Sequence, residues 1–261
     1  MIAKQKKAQL TIFIIIGIVL VSSIVLFFVF REKISEEITG KSEENPESFL
    51  NFCMEDKIKE AVEIISLHGG YLNNKLNKSF KFEDEEIPTD ISYLCYNQNN
   101  YLPCINQKPT FMEDLKDEIK NYISEDVENC FNEMTKSFEQ KAYEISTTYN
   151  GFEVEILPKI ITIQTSSESI LTKSGETTKQ EDFKISIASR LYEISFVAQE
   201  LVNQEARFCY SENLGIMLIY PEFIIDKFRT GDSTVIYTVE NKKSKEKFRF
   251  ALRGCAIPPG I

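Results

Sequence analysis

Six cysteines and a single histidine are the residues of this 261-residue chain whose types could do chemistry. Cys53, Cys95, Cys104, Cys130, Cys209 and Cys255 show none of the CxxC or His-rich spacing that a zinc site needs, which leaves disulfides, with free buried thiols as the competing reading. Six cysteines permit fifteen pairings and spacing alone does not choose among them. Cys53 and Cys130 sit on the apolar faces of two expected helices, which makes a bridge across that pair geometrically natural. Cys95 and Cys104 flank a short Asn/Pro-rich loop, and Cys209 and Cys255 remain. His68 stands beside Gly69-Gly70 at the end of an expected helix, where its ring satisfies terminal carbonyls. The Glu83 to Glu86 run lacks the glycine and spacing of a calcium loop and reads as a solvated segment. Asn77-Lys78-Ser79 is a glycosylation sequon, used only in a domain outside the cytoplasm. No GxSxG, HExxH, P-loop or GxGxxG motif occurs, so no catalytic residue, metal ligand or cofactor is assigned.

The elements that must position these residues begin with an anchor. Leu10 to Phe30 runs twenty-one residues without a charge, and at about 1.5 Å per residue it reaches the roughly 30 Å of a bilayer core. A cleaved signal peptide would have a shorter apolar stretch and a small-residue cleavage site, which Phe30-Arg31-Glu32-Lys33 does not offer. The expectation is a single-pass membrane protein held in the lipid bilayer by this helix. The stub before it carries Lys4, Lys6 and Lys7 and no acid, whereas all 40 acidic residues lie beyond Phe30. The basic stub and the downstream cysteines place the N-terminus in the cytoplasm and the main domain outside. Setting the three stub lysines aside leaves 27 basic against 40 acidic residues, a net charge of −13, which argues against nucleic acid or anionic lipid as a partner.

The junction Lys6-Lys7-Ala8-Gln9-Leu10-Thr11-Ile12-Phe13 resembles the archaeal class III signal sequence of type IV pilin-like proteins. That resemblance implies cleavage between Ala8 and Gln9, with Gln9 as the new N-terminus. The glutamate that such pilins usually carry five residues into the mature protein is absent, since Phe13 stands there. The whole chain, with Cys53, Gly69-Gly70-Tyr71, the Pro103/Pro109 loop, Cys130 and a closing aromatic-basic strand, is also similar to uncharacterised membrane-anchored proteins of small-genome archaea. This second likeness bears on fold and location and implies no activity.

Beyond a stalk over 31–45, apolar residues at spacings of three and four predict a helix from Pro46 to Leu67, closed by Gly69-Gly70. Residues 80–109 read as irregular because of the acidic run, the Asn-rich stretch and three prolines. A capping box of Thr110 and Glu113 opens a second helix from Phe111 to Ile145, broken near Ser124. Past Asn150-Gly151 the period falls to two. Strands are expected from Phe152, over Lys159 to Thr165, at Phe183 to Ile187, Ile216 to Tyr220, Phe223 to Phe228, Thr234 to Glu240 and Lys247 to Arg253, with a helix over Arg190 to Ala206 and turns at Ser166 to Lys179. The expected fold is α+β: an N-terminal transmembrane helix, a helical disulfide-containing region over 46–150, and an antiparallel sheet with one helix over 151–261. Three roles fit this pattern. The chain is a surface interaction or structural envelope protein with a protein partner, a pilin-like subunit, or a membrane-tethered envelope enzyme. The lack of motifs weighs against the last.

Overall fold

In the computed structural model residues 45–83 and 85–256 are described. The expected basic stub, transmembrane helix over 10–30 with its bilayer contact, Ala8/Gln9 processing site and stalk as far as residue 44 fall outside the described residues. Among the described residues no helix is long and apolar enough to cross a membrane. The expected architecture is therefore corrected to an α+β fold with four helices and two sheets among those residues. The chain divides into two compact units between Phe49 and Leu50, and both sheets belong to the second, Leu50–Ile261.

Helix α1 (Pro46–Leu67) buries Leu50, Met54, Ile58, Ala61, Val62 and Ile65, one stripe of a 3.6-residue period. Its end is set by glycine: the Gly70 amide donates to the Ile65 carbonyl at 2.9 Å, and φ is +74° at Gly69 and +87° at Gly70. A Cβ on Gly70 would come 2.9 Å from the Phe111 ring, so the same glycine closes one helix and admits the start of the next. Helix α2 (Phe111–Gln140) buries Phe111, Leu115, Ile119, Ile123, Val127, Phe131, Met134 and Phe138. It is unbroken at Ser124, whose hydroxyl donates to the Asn121 carbonyl at 3.0 Å and stays within the helix. The expected capping box does not form. Thr110 donates to the Asp114 carboxylate at 3.0 Å, and Glu113 pairs with Lys116 at 2.9 Å.

The first half is not simply helical. It supplies β1 (Asn77–Phe80), β2 (Thr89–Tyr96) and β3 (Ile105–Asn106), and β2 is a central strand of a six-stranded sheet. That sheet continues through β10 (Lys247–Arg253) and β9 (Val235–Asn241) to β8 (Phe223–Arg229), with β3 also on β2. It is mixed, because β2 and β10 run parallel while the other pairs are antiparallel. Helix α3 (Leu191–Phe208) packs on β2, β9 and β10 through Leu191, Ile194, Val197, Ala198, Leu201 and Val202. The face that carries Ile91, Tyr93, Ile236 and Ala251 packs instead under Leu76, Phe80, Phe82 and Tyr96.

The second sheet holds β4 (Glu144–Leu157), β5 (Ile160–Lys173), β6 (Glu176–Glu181) and β7 (Lys184–Ala188), all antiparallel. Strand β4 begins well before Asn150-Gly151, which forms a bulge with Gly151 at φ +111° rather than a boundary. Strand β5 runs through residues expected to be turns, because Thr165, Ser167 and Ser169 turn inward and satisfy one another and Thr147: Thr165 to Ser167 is 2.8 Å, and Ser169 donates to Thr147 at 3.3 Å. A short helix, α4 (Asn213–Ile219), replaces the strand expected at Ile216 to Tyr220.

Candidate functional site

The six cysteines come together as three pairs: Cys53 with Cys130, Cys95 with Cys104 and Cys209 with Cys255, at Cα separations of 5.9, 5.3 and 5.8 Å. The first ties α1 to α2, the second closes the loop after β2, and the third joins the end of α3 to the segment after β10. Cys209 takes a left-handed conformation, with its amide on the Glu205 carbonyl, and so ends α3 at the bridge. Gly254 beside Cys255 is required there, since a Cβ would lie 2.4 Å from the Cys104 backbone nitrogen.

His68 is structural in its contacts. Its Nδ1 lies 2.8 Å from the Ile64 carbonyl, one turn back, and its own carbonyl accepts from the Ser92 amide at 3.0 Å. The Asn77 side chain, exposed at the start of edge strand β1, donates to the Asn74 carbonyl at 2.7 Å. Among the described residues no group of three or more His, Cys, Asp or Glu could hold a metal ion. The Lys242 to Lys247 segment is the tip of the β9–β10 hairpin, organised by Asn241, whose side-chain oxygen accepts from the Lys243 and Ser244 amides at 3.0 and 3.1 Å.

Within the acidic run Glu83 and Glu86 are exposed, as a solvated segment would be, but Glu85 is held by protein partners. The Glu85 carboxylate accepts from Arg249 Nη1 at 2.5 Å and from the Thr89 hydroxyl at 3.2 Å. Arg249 is 6% exposed, and its guanidinium lies 3.9 Å from the centre of the Phe82 ring. Nothing in the spacing of the sequence could pair residues 164 positions apart; the single hint is a basic residue alternating with aromatics in Lys247-Phe248-Arg249-Phe250. This pair borders a cleft of about 700 Å³ between the C-terminal half of α1, the end of β7 and the β9–β10 hairpin. Glu246 on that hairpin accepts from the Ser189 hydroxyl at 2.6 Å and from the Arg190 amide at 2.7 Å, which caps α3 across the chain.

A second polar cluster is closed. Tyr237 is 0% exposed; its hydroxyl donates to Glu205 and lies 2.6 Å from Ser211, and Lys227 pairs with the same Glu205 oxygen at 2.8 Å. Burial, then the Glu205 charge, holds the Tyr237 phenol far above its ordinary range. Tyr71, bonded to Asp114 at 2.6 Å, is raised by burial in the same way. These groups stay protonated and act as donors: Tyr237 fastens β9 to α3, and Tyr71 fastens the loop after α1 to the start of α2.

The surface beside the Cys209–Cys255 bridge is apolar. Phe208, Tyr210, Leu214, Leu218 and Ile219 are all exposed within twelve residues, the last three at 69%, 83% and 71%. The Cys255 amide donates to the Leu102 carbonyl at 2.8 Å, which brings in the exposed Tyr101 and Leu102. Arg253 braces that loop, donating to the Asn97 and Gln98 carbonyls at 2.7 and 3.0 Å. The strand expected over Ile216 to Tyr220 would have alternated inward; the helix turns Leu214 and Leu218, four apart, to solvent together. The chain with this pair of features, a bordered cleft and an apolar surface, matches no protein-family model, no curated protein and no solved structure.

Proposed function

We propose that this is an extracytoplasmic interaction domain that docks a protein partner of the envelope on the apolar surface around α4. The observation that carries the reading is the run of exposed Phe208, Tyr210, Leu214, Leu218 and Ile219. Five large apolar side chains exposed within twelve residues are more than scattered single exposures, and aromatic residues anchor protein interfaces. Two bridges adjoin the patch and hold it in one shape, which lowers the ordering cost of binding. Three disulfides also suit an oxidising space outside the cytoplasm. His68 has no role in the reading, because its ring is spent on a helix carbonyl. The test is capture of envelope proteins by the immobilised full chain and by its Leu214→Glu/Leu218→Glu variant. A defined partner retained by the first and lost by the second, with the thermal midpoint unchanged, supports the reading; equal capture by both overturns it.

A further inference from the structure

We propose that the cleft between α1, β7 and the β9–β10 hairpin binds a small zwitterion, a free amino acid or short peptide, with its carboxylate on Arg249 and its ammonium on Glu63. The site uses none of the residues of the apolar surface. Its volume of about 700 Å³ falls within the range typical of small-molecule sites.

Charge accounting inside the cleft selects the ligand. Lys59, Lys245, Lys247 and Arg249 face Glu63, Glu85, Glu240 and Glu246, so the lining is formally neutral in a chain of net charge −10. Most of these charges are already used. Lys59 holds Glu55 at 2.5 Å, Glu240 takes Lys245 and Lys247 at 3.2 and 3.5 Å, and Glu246 caps α3. Two groups in the lining stand without a partner. Glu63 is exposed and makes no hydrogen bond or ion pair among the described residues, and the buried Nε of Arg249 has no acceptor there.

An unsatisfied donor on a buried guanidinium is costly, and the Nε edge of arginine has the geometry to grip a carboxylate. The Phe82 ring on one face and Glu85 at Nη1 fix the plane of the guanidinium at the edge of the cleft, so the group that would receive a ligand carboxylate is held in place. Val62, Leu67, Ile187 and Ala188 line the same cleft and give an apolar seat for a side chain. A phosphate dianion suits it poorly, because the lining is formally neutral and its lysines are already paired with glutamates.

The experiment is titration calorimetry of the full chain with glycine, glycylglycine, triglycine, L-leucine and L-alanyl-L-leucine, and with N-acetyl and C-amide forms of whichever binds. The length series separates a free amino acid from a peptide. The expected result is saturable binding of at least one free zwitterion, weakened about tenfold or more by blocking either end, since each blocked end loses a charge-assisted hydrogen bond. Glu63→Gln, on an exposed position that leaves folding intact, should weaken the free form about tenfold and erase the discrimination against the N-acetyl form. Arg249→Lys, which keeps the charge but loses the forked guanidinium, should weaken the free form and narrow its discrimination against the C-amide. The proposal is overturned if no zwitterion binds the folded protein, if inorganic phosphate binds more tightly than any of them, or if Glu63→Gln binds the free and N-acetyl forms with the wild-type ratio.

Discussion

Replacing both Cys53 and Cys130 by alanine removes the bridge that spans the greatest length of chain, 77 residues. In the chain-entropy account the closed loop costs the unfolded state about 2.1 + 1.5R ln n cal/mol/K, which for this separation gives about 4.5 kcal/mol near room temperature. The Cys95–Cys104 bridge lies inside that loop and shortens it by nine residues, which lowers the figure by only about 0.1 kcal/mol. The expected loss is therefore about 2–4.5 kcal/mol, the lower end applying where the reduced unfolded chain keeps some compactness. Urea unfolding followed by circular dichroism measures it. The midpoint should fall and the slope should rise, because a chain freed of its longest loop exposes more surface when it unfolds. A loss under about 1 kcal/mol with an unchanged slope would refute the reasoning, since it would mean that α1 and α2 stay together in the unfolded chain without the bond.

Other contacts set three further outcomes. Gly70→Ala should cost about 1–3 kcal/mol in urea unfolding, because it forces a left-handed residue and drives a Cβ against Phe111, whereas Gly231→Ala, with nothing near its Cβ, should stay within about 0.5 kcal/mol. Asp232 is held below the ordinary carboxylate value of 3.8 by Lys78 and by the hydroxyl of Thr230. A depressed folded pKa gives stability that is full above the unfolded value and lost as pH falls through the folded one, so Asp232→Asn should be less stable than the wild type at neutral pH, and the gap should begin to narrow below about pH 3.8 and go on narrowing as the pH falls further in acid unfolding. Tyr237→Phe should cost about 1–3 kcal/mol by thermal unfolding, because it leaves Glu205 and Ser211 short of a buried partner.

The parts of the fold legible in the sequence are those written in local pattern. Helix α1 announces both its ends, with Pro46 at the first position and Gly69-Gly70 past the last, and its core stripe repeats at three and four. The strands β9 and β10 alternate cleanly around a polar hairpin tip, and Cys53 and Cys130 sit on faces that only a helix pair could join. What escaped depends on partners distant along the chain. Strand β2 lies among prolines and asparagines, yet five consecutive residues of it, Ile91 to Cys95, are buried, because a central strand covered on both faces has no alternation to show. The serines and threonines of β5 have the composition of a turn, and hydrogen bonds to one another, to Thr147 and to the neighbouring strands let them lie in a strand. Glu212 bends the chain into α4 by accepting from the Gly215 amide at 3.4 Å, a cap that a β-rich reading of Ile216, Met217, Leu218 and Ile219 overlooks. The two candidate sites were hidden for the same reason. The Arg249–Glu85 pair spans 164 residues, and the surface around α4 exists only because that segment is helical.

The most direct test of the interaction surface is site-specific photocrosslinking in living cells, with a photoreactive residue placed at Leu218 in one strain and at the exposed Glu176 of edge strand β6 in another. A discrete crosslinked species from position 218 that is absent from position 176 is the predicted result. No species from either position, or the same species from both, would contradict the claim that the apolar surface around α4 is where this domain meets its partner.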